Sequence, residues 1–157
     1  MDESPVSHAL GRDLHWCLVR LVRGIGAAEY EAVRGCGISV RGYIILLALS
    51  EGEADSQLTL GRTSMMDKST LVRAVDEMEE GGYLVRTPDP ADRRVRSVSI
   101  TERGKQVLER AALAVAKVEE EFLAVLPADQ RRAFRAAASA LGTGPSASTF
   151  DARPAIV

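Results

Sequence analysis

The stretch Met66-Asp67-Lys68-Ser69-Thr70-Leu71-Val72-Arg73 begins a segment in which apolar residues recur with the period of an α-helix. The apolar positions, continued to residue 80, form one stripe: Leu71, Val75 and Met78. The hydroxyl and basic positions lie off that stripe: Lys68, Ser69, Thr70 and Arg73. We therefore predict an amphipathic helix from about Asp67 to Glu80, with one face in a core and the other available to a partner.

Two short β-compatible runs follow this helix. Gly81-Gly82 ends the helix, and the runs Tyr83–Pro88 and Val95–Ile100 are joined by Asp89-Pro90-Ala91-Asp92-Arg93-Arg94. The connection begins with turn-forming residues and carries arginines at its tip. A helix followed by strand, turn and strand is the order in which a winged helix-turn-helix meets DNA, so we predict that fold.

Upstream segments supply the rest of such a domain. Ser39 is a candidate N-cap for a helix from about Val40 to Ser50, which is apolar nearly all round and is therefore expected at the domain centre. Gly52 interrupts the chain, and a short helix is predicted from about Leu58 to Ser64. A tight turn then leads into the helix that begins near Asp67.

Long helices are predicted at both ends of the chain. From about Ser7 to Arg34 there is no proline, and apolar residues recur at helical spacing: Leu10, Leu14, Leu18, Leu21 and Ile25. Thr101 is a candidate N-cap for a helix to about Val125. Pro127 suits the first turn of a last helix, which runs to about Leu141 and is closed by Gly142. The apolar stripes are wider than the central domain needs, so we expect them to pack against a second copy in a two-fold dimer.

The predicted fold is mainly α with a small β-wing. Residues 1–35 are expected to form an N-terminal dimerisation helix, and residues 36–101 a winged helix-turn-helix DNA-binding domain. Residues 102–141 are expected to form C-terminal dimerisation helices. Residues 142–157 are rich in Gly, Pro, Ser, Thr and Ala, which is typical of a flexible tail.

Charge is unevenly distributed along the chain. The formal net charge of the 157 residues is −2, which argues against nonspecific polyanion binding by the whole molecule. The window 86–110 nevertheless holds seven basic and four acidic residues and so carries +3. Acidic residues concentrate at 76–80 and 119–121. We therefore expect the molecule to have one basic face. Such a face can bind DNA despite the negative net charge, because DNA binding depends on local charge.

Cysteine content and hydropathy indicate the compartment. Cys17 and Cys36 are the only cysteines, which is too few for a disulfide framework and typical of a reducing compartment. No apolar run approaches the roughly 18 residues of a membrane span. The start Met1-Asp2-Glu3-Ser4-Pro5 lacks the basic residues and apolar core of a signal peptide. We expect a cytoplasmic protein with no membrane contact.

The residues expected to read DNA fall into two groups. A helix-turn-helix places the N-terminal residues of its second helix nearest the base edges of the major groove, where an arginine can bind guanine in bidentate fashion. In this chain those residues are Lys68, Ser69, Thr70 and Arg73. The wing candidates are Arg93, Arg94 and Arg96, because arginine suits the negative potential of a narrow minor groove. The alternatives are a solvated helix face and a charged hairpin tip that keeps a strand edge soluble.

This order of features resembles the MarR family of bacterial transcription regulators over roughly residues 10–141. The resemblance rests on residues 67–73, on the helix exit at residues 78–86, and on Asp92-Arg93-Arg94 followed by Ile100-Thr101-Glu102-Arg103-Gly104. It implies a homodimer, two winged domains on a pseudo-palindromic operator in double-stranded DNA, and repression relieved by a small molecule. The chain departs from the family pattern just before the recognition helix, where Gly61, Ser64 and Met65 stand in place of Ala, Leu and Gly.

The resemblance also implies an effector pocket between the dimer helices and the DNA-binding domain, for ligands such as aromatic acids. The candidate lining residues are Trp16, Arg20 and Tyr43, because an arginine suits a carboxylate. The alternative is that Trp16 and Tyr43 are large core residues. Some family members sense peroxides through a cysteine early in the first helix, which makes Cys17 a redox candidate. Val40, however, stands where such members carry one of the tyrosines that bind the thiolate.

No enzymatic or metal centre is predicted, and we expect no cofactor. His15 and Cys17 are two residues apart on a helix and do not share a face. No metal-ligand spacing, phosphate-binding loop, nucleophile elbow or carboxylate pair stands out. The rival hypothesis from another class is a winged-helix protein-interaction module that does not read DNA.

Overall fold

The computed structural model describes residues 10–52, 57–88 and 96–143. Within these ranges the predicted order of elements is present, and the prediction of a mainly α fold with a small β-wing is confirmed. The helices are α1 Leu14–Gly35, α2 Val40–Ser50, α3 Gln57–Thr63, α4 Lys68–Glu80, α5 Glu102–Leu123 and α6 Ala128–Thr143. The strands are β1 Leu84–Pro88 and β2 Arg96–Ile100.

One hydrophobic core joins the elements of the winged domain. α2 lies at its centre with Ile45 and Leu46 fully buried, although Ile44 and Leu47 on its outer side remain exposed. Buried residues from the surrounding elements complete the core: Val33, Leu60, Leu71, Val75, Met78, Leu84, Val98, Val107 and Ala111. The first half of α5 therefore shares a core with α4, which places the start of this long helix within the winged domain.

Side-chain caps set where the first two helices begin. Ser39 Oγ accepts a hydrogen bond from the backbone N of Gly42 at 3.1 Å, and α2 begins at Val40 as predicted. Asp13 Oδ1 accepts from the backbone N of Trp16 at 2.8 Å, so α1 begins only at Leu14. The predicted start near Ser7 was wrong over residues 10–13, because a short 3-10 turn at Leu10–Arg12 precedes the Asp13 cap. Residues 7–9 lie outside the described residues.

The other helix ends differ from the predicted ones by a few residues. α3 spans Gln57–Thr63, α5 ends at Leu123 rather than near Val125, and α6 continues through Gly142 to Thr143. The prediction that Gly142 closes the last helix was wrong, because a glycine inside a helix costs only about 0.5–1 kcal/mol relative to alanine. The predicted flexible tail lies outside the described residues from residue 144 onward.

The chain divides into two compact units, residues 1–118 and 119–157. In the second unit, Arg135 pairs with Glu119 and, at 2.9 Å, with Glu120, which ties α6 to the end of α5. Nearly all of α6 is exposed, including the apolar Phe134 and Leu141. The predicted division into dimerisation and DNA-binding regions is a functional one and stays a prediction.

No single helix within the described ranges combines the length and apolar character needed to cross a membrane. α1 and α2 meet that test only when taken together, and they are bent by 80° at the break between them.

Candidate nucleic-acid interface

One carboxylate organises the start of α4. Asp67 Oδ1 accepts hydrogen bonds from the backbone N of Ser69 and of Thr70, both at 3.0 Å, and from Ser69 Oγ at 2.7 Å. Hydrogen bonding from Thr70, and then from Ser69, holds the pKa of Asp67 well below its usual value of 3.8. These first-turn amides are therefore already paired. The Ser69 hydroxyl likewise donates within the helix, so it offers only its oxygen lone pairs to a partner.

The predicted contact residues lie together on the solvent side of α4. Lys68, Ser69 and Arg73 are exposed, and Thr70 is half-buried beside them. Arg73 lies one helical turn beyond Ser69, so the two side chains share a face. Leu71, Ala74, Val75 and Met78 on the other side are buried, as predicted for the three of these that form the apolar stripe. The N-terminal half of α4 therefore presents a cationic surface backed by the core.

The turn that leads into α4 is strained. Met65 has φ +52°, which is the only positive φ of a non-glycine residue among the described ones, and its side chain is 83% exposed. Ser64 is buried, and within the described part of the chain its Oγ has no hydrogen-bond partner. A Cβ on Gly61 would lie 3.1 Å from Leu71 Cδ2, so α3 and α4 approach closely there. The three departures from the MarR pattern, at Gly61, Ser64 and Met65, thus coincide with these three local features. The positive φ at Met65 is a conformation that the family's glycine would adopt readily.

Arg86 of β1 faces the acidic C-terminal half of α4. Its Nη1 lies 2.7 Å from Asp76 Oδ1, its Nε donates to Glu79 Oε2 at 2.8 Å, and its Nη2 also contacts Glu79 Oε2. Its backbone N donates to Glu79 Oε1 at 3.1 Å. Hydrogen bonding to Arg86 lowers the pKa of Glu79, and the same pairing raises the pKa of Arg86.

This pairing was not predicted. From the sequence, Arg86 counts toward the basic window 86–110, whereas in the fold its charge is directed inward at two carboxylates. Glu79 and Arg86 are seven residues apart and belong to different elements, so no helical spacing rule joins them. Only the path of the chain through the turn at Gly81-Gly82 brings them together.

The base of the wing is fixed to the start of α5. Thr101 Oγ1 donates to the carbonyl oxygen of Gly82 at 2.8 Å and accepts from the backbone N of Gly104 at 3.0 Å, which confirms Thr101 as the cap of α5. A Cβ on Gly104 would lie 2.0 Å from the carbonyl oxygen of Tyr83. The Arg103 guanidinium lies over the Tyr83 ring, 4.9 Å from its centroid. The motif that begins at Thr101 therefore holds the root of the hairpin.

The wing strands are antiparallel, with Arg86 opposite Val98 and Pro88 opposite Arg96. Arg96 is exposed, and its charge contributes to lowering the pKa of Glu79. Arg93 and Arg94 lie outside the described residues, so their groove contacts stay predictions.

A cleft of about 330 Å³ lies where the end of α1 meets the start of α2. It is lined by Tyr30, Arg34, Gly37, Ile38, Ser39 and Val40. The predicted effector residues are not among these, because Trp16 and Arg20 are exposed on the first half of α1 and Tyr43 packs half-buried against the core. Their effector role stays a prediction.

Cys17 is half-buried near the start of α1, and its Sγ donates to the carbonyl oxygen of Gly11 at 3.4 Å. Its redox role stays a prediction. Across residues 10–52, 57–88 and 96–143, no group of three or more His, Cys, Asp or Glu side chains is arranged to hold a metal ion.

Two helices joined by a tight turn, a cationic exposed face on the second of them and a hairpin anchored beside it define a winged helix-turn-helix protein. Comparisons with known proteins agree. The sequence model of the MarR family matches residues 37–95. The HTH-type transcriptional regulator SarZ of Staphylococcus epidermidis is 34% identical over 71 residues, which cover 45% of this chain and 48% of SarZ. The chain thus spans about half the length of the curated relatives that it matches.

Solved structures extend the similarity over most of the fold. CouR from Rhodococcus jostii RHA1, crystallised with p-coumaroyl-CoA, is 30% identical with a TM-score of 0.73, over 87% of this chain and 96% of CouR. A MarR family transcriptional regulator from Rhodococcus sp. RHA1 is 28% identical with a TM-score of 0.78, over 87% of this chain and 97% of that one. This chain belongs to the MarR family of transcriptional regulators.

Proposed function

We propose that this chain forms a homodimer that binds a pseudo-palindromic operator in double-stranded DNA and represses transcription until a small molecule binds. The observation that carries the proposal is the charge distribution on α4. Lys68 and Arg73 are exposed on its N-terminal half, while Asp76 and Glu79 on its C-terminal half are paired with Arg86. A helix that enters the major groove by its N-terminal end would therefore lead with positive charge.

Each candidate residue has a separate role in this proposal. Arg73 is placed to bind guanine O6 and N7, and Lys68 to bind a phosphate. Thr70 and Ser69 supply hydroxyl oxygens that accept hydrogen bonds, because both hydroxyls donate to the Asp67 carboxylate. The wing arginines Arg93, Arg94 and Arg96 would follow the minor groove and add salt-dependent affinity.

Exposed apolar residues support a homodimer. On α1, Leu14, Leu18 and Val22 are 73%, 48% and 66% exposed and recur every fourth residue. α6 carries its own exposed apolar residues, Phe134 and Leu141. Water-exposed stripes of this kind are stabilised by packing against a second copy. A two-fold dimer would present two α4 helices to half-sites about 10 bp apart.

The cleft at the end of α1 supports regulation by a small molecule. Tyr30 offers an aromatic ring and Arg34 a guanidinium, a pair of groups suited to an aromatic carboxylate or acyl thioester. Arg34 is paired with the exposed Glu31 at 3.4 Å, a weak surface pair that an anionic ligand could replace. The CouR complex with p-coumaroyl-CoA makes aromatic acyl thioesters reasonable first probes. Such a ligand would change DNA affinity only by binding two states of the dimer unequally.

Selection from a genomic fragment library, followed by sequencing, tests the proposal. We expect enrichment of a palindromic sequence, retention that falls as salt rises, and release by at least one aromatic acid or acyl thioester. If no sequence is enriched and the exposed face of α4 instead captures a protein, the chain is a protein-interaction module.

Replacing Arg73 tests the assignment of base reading. We expect Arg73→Ala to weaken operator binding by about 1–3 kcal/mol while leaving nonspecific binding nearly unchanged, because a bidentate base contact carries discrimination. Fluorescence anisotropy with operator and scrambled duplexes measures both affinities. Arg23→Ala removes an exposed arginine from α1 as a control and should change neither. Equal losses on the two duplexes in Arg73→Ala would show that Arg73 contacts only the DNA backbone.

A further inference from the structure

We propose that Arg86 is a positioning residue that locks the wing to α4 through Glu79 and Asp76, so that recognition helix and wing engage DNA as one rigid body. The inference rests on the proposed DNA-binding function. Arg86 itself is assigned no contact with DNA.

The contact between Arg86 and Glu79 fixes the backbone of β1 as well as the Arg86 side chain. Both the backbone N and the guanidinium of Arg86 donate to the Glu79 carboxylate, one to each oxygen, and Nη1 adds the bond to Asp76. A guanidinium held by two carboxylates from successive turns of one helix cannot rotate without breaking charge-assisted bonds. The Arg86 side chain is only 25% exposed, so water competes weakly for these bonds.

A second anchor lies at Tyr83, immediately before the start of β1. The backbone N of Tyr83 donates to the carbonyl oxygen of Met78 at 2.9 Å, and the backbone N of Thr101 donates to the carbonyl oxygen of Tyr83 at 3.0 Å. Residues 83 and 86 are three apart on an extended chain, a span of roughly 10 Å. One anchor would leave the hairpin able to pivot about it, whereas two anchors this far apart fix its direction relative to α4.

Charge and geometry predict opposite effects for one substitution. Glu79 lies on a helix that approaches DNA, so removing its negative charge should strengthen binding if only Coulomb forces act. If Glu79 holds the wing through Arg86, the same change should weaken binding because Arg96 on the wing is no longer held in position. Glu77 is the matched control, since it is an exposed carboxylate on the same helix and is not in contact with Arg86.

The first experiment compares Glu79→Gln and Glu77→Gln by fluorescence anisotropy with an enriched operator duplex over a range of salt. We expect Glu77→Gln to bind as tightly as the native protein or tighter. We expect Glu79→Gln to bind several-fold more weakly. Arg86→Lys, which keeps the charge and loses the forked geometry, should bind as weakly as Glu79→Gln with an unchanged salt slope. Arg86→Gln removes the charge, so a slope reduced by about 0.9 in that variant would identify Arg86 as a phosphate contact and overturn the inference.

The effect of Arg96→Gln on DNA affinity distinguishes a misplaced wing from a simple loss of stability. In the native background we expect Arg96→Gln to weaken binding about tenfold, the order of one charge-assisted contact. In the Glu79→Gln background the same change should have little further effect, because the wing is no longer held in place. Equal Arg96→Gln penalties in both backgrounds, measured well below the unfolding temperature of each variant, would overturn the inference.

Hydrogen exchange separates failure of the inference from failure of the proposed function. Without DNA, Glu79→Gln should speed exchange of the Arg86 amide, while amides of the buried α2 keep their native rates. If the native protein binds no duplex but the Arg86 amide exchanges faster in Glu79→Gln, the proposed function fails. The contact between Arg86 and Glu79 then remains a structural feature only. If exchange and the Arg96 penalty are both unaffected by Glu79→Gln, the lock itself is refuted.

Discussion

Met65 adopts a left-handed backbone conformation that costs a residue with a Cβ roughly 1–2 kcal/mol. The neighbouring Ser64 adds a buried hydroxyl without a hydrogen-bond partner in the described structure. Both residues lie in the turn between the two helices of the helix-turn-helix. These two features therefore make the attachment of α4 less stable than its buried apolar stripe alone would make it.

Removing the buried hydroxyl should stabilise the protein. Replacing Ser64 with Ala eliminates an unpaired polar atom and leaves the packing nearly unchanged, so we expect a gain of about 1 kcal/mol. For a chain of this size that corresponds to a rise of roughly 2–4 °C in the thermal unfolding midpoint. Ser50→Ala is the control, because that exposed hydroxyl donates to the carbonyl oxygen of Leu47. A lower unfolding midpoint in Ser64→Ala would mean that the hydroxyl is paired in solution.

The Asp67 cap should make stability depend on acid pH. Its pKa is lowered in the fold, so the folded protein binds a proton there less readily than the unfolded chain does. The stabilisation is therefore complete above the unfolded value of 3.8 and is lost as pH falls below it toward the folded pKa.

Thermal unfolding of the native protein and of Asp67→Asn measures this effect. Asparagine also caps helices and does not titrate in this range, so its variant should lose less stability between neutral pH and a pH below 3.8. Parallel pH dependences for the two proteins would show that Asp67 is not bonded to the first turn of α4 in solution.

At the scale of elements, α4, the wing and the start of α5 meet around Tyr83. Hydrogen bonds from Tyr83 to α4 and from Thr101 to Tyr83 join the three elements within a few residues. Gly104 lets α5 approach the Tyr83 carbonyl oxygen closely enough that no larger residue fits without movement. A glycine is needed here for space, since its backbone is that of an ordinary helix.

Filling that space should loosen the root of the wing. A Cβ at Gly104 would meet a backbone oxygen at 2.0 Å, and backbone cannot move aside as a flexible side chain can. We expect Gly104→Ala to destabilise the protein by about 1–3 kcal/mol in urea unfolding, the range for overpacking. Gly26→Ala is the control, since a Cβ there would meet nothing within 4 Å. A Gly104→Ala protein as stable as the native one would show that α5 and the hairpin can separate freely.

At the scale of the whole molecule, the exposed apolar residues of α1 and α6 are a feature that a single chain does not explain. Leu14, Leu18 and Val22 lie along one side of α1 in contact with water. The core of the winged domain takes only Val33, near the other end of that helix. The proposed dimer gives the first half of α1 a partner.

A charge on this stripe should separate the dimer. We expect Leu14→Glu to shift the protein toward monomer in analytical ultracentrifugation and to weaken operator binding with a steeper dependence on protein concentration. Ala27→Glu places the same charge on the opposite, exposed side of α1 and should leave the dimer intact. An intact dimer in Leu14→Glu would move the interface away from this stripe.

Local sequence patterns were sufficient for the helices, the caps at Ser39 and Thr101, and the buried stripe of α4. These follow from contacts between residues close along the chain, where the period of the helix and the chemistry of capping leave few choices. The order of the elements then indicated the winged fold and the family. The cap at Asp13 was missed, because a continuous apolar stripe across residues 10–25 masks a helix start within it.

Contacts between distant elements were decided only by the tertiary structure. Arg86 reads as one more cation of a basic window, and it becomes the partner of Glu79 and Asp76 only when the hairpin folds back along α4. The cleft beside Tyr30 and Arg34 likewise depends on the angle at which α1 meets α2. Local periodicity in the segment that begins at Met66 therefore identified the amphipathic helix α4. The contacts that join the wing hairpin to α4 depend on distances between residues far apart in sequence, and no local pattern encodes those distances.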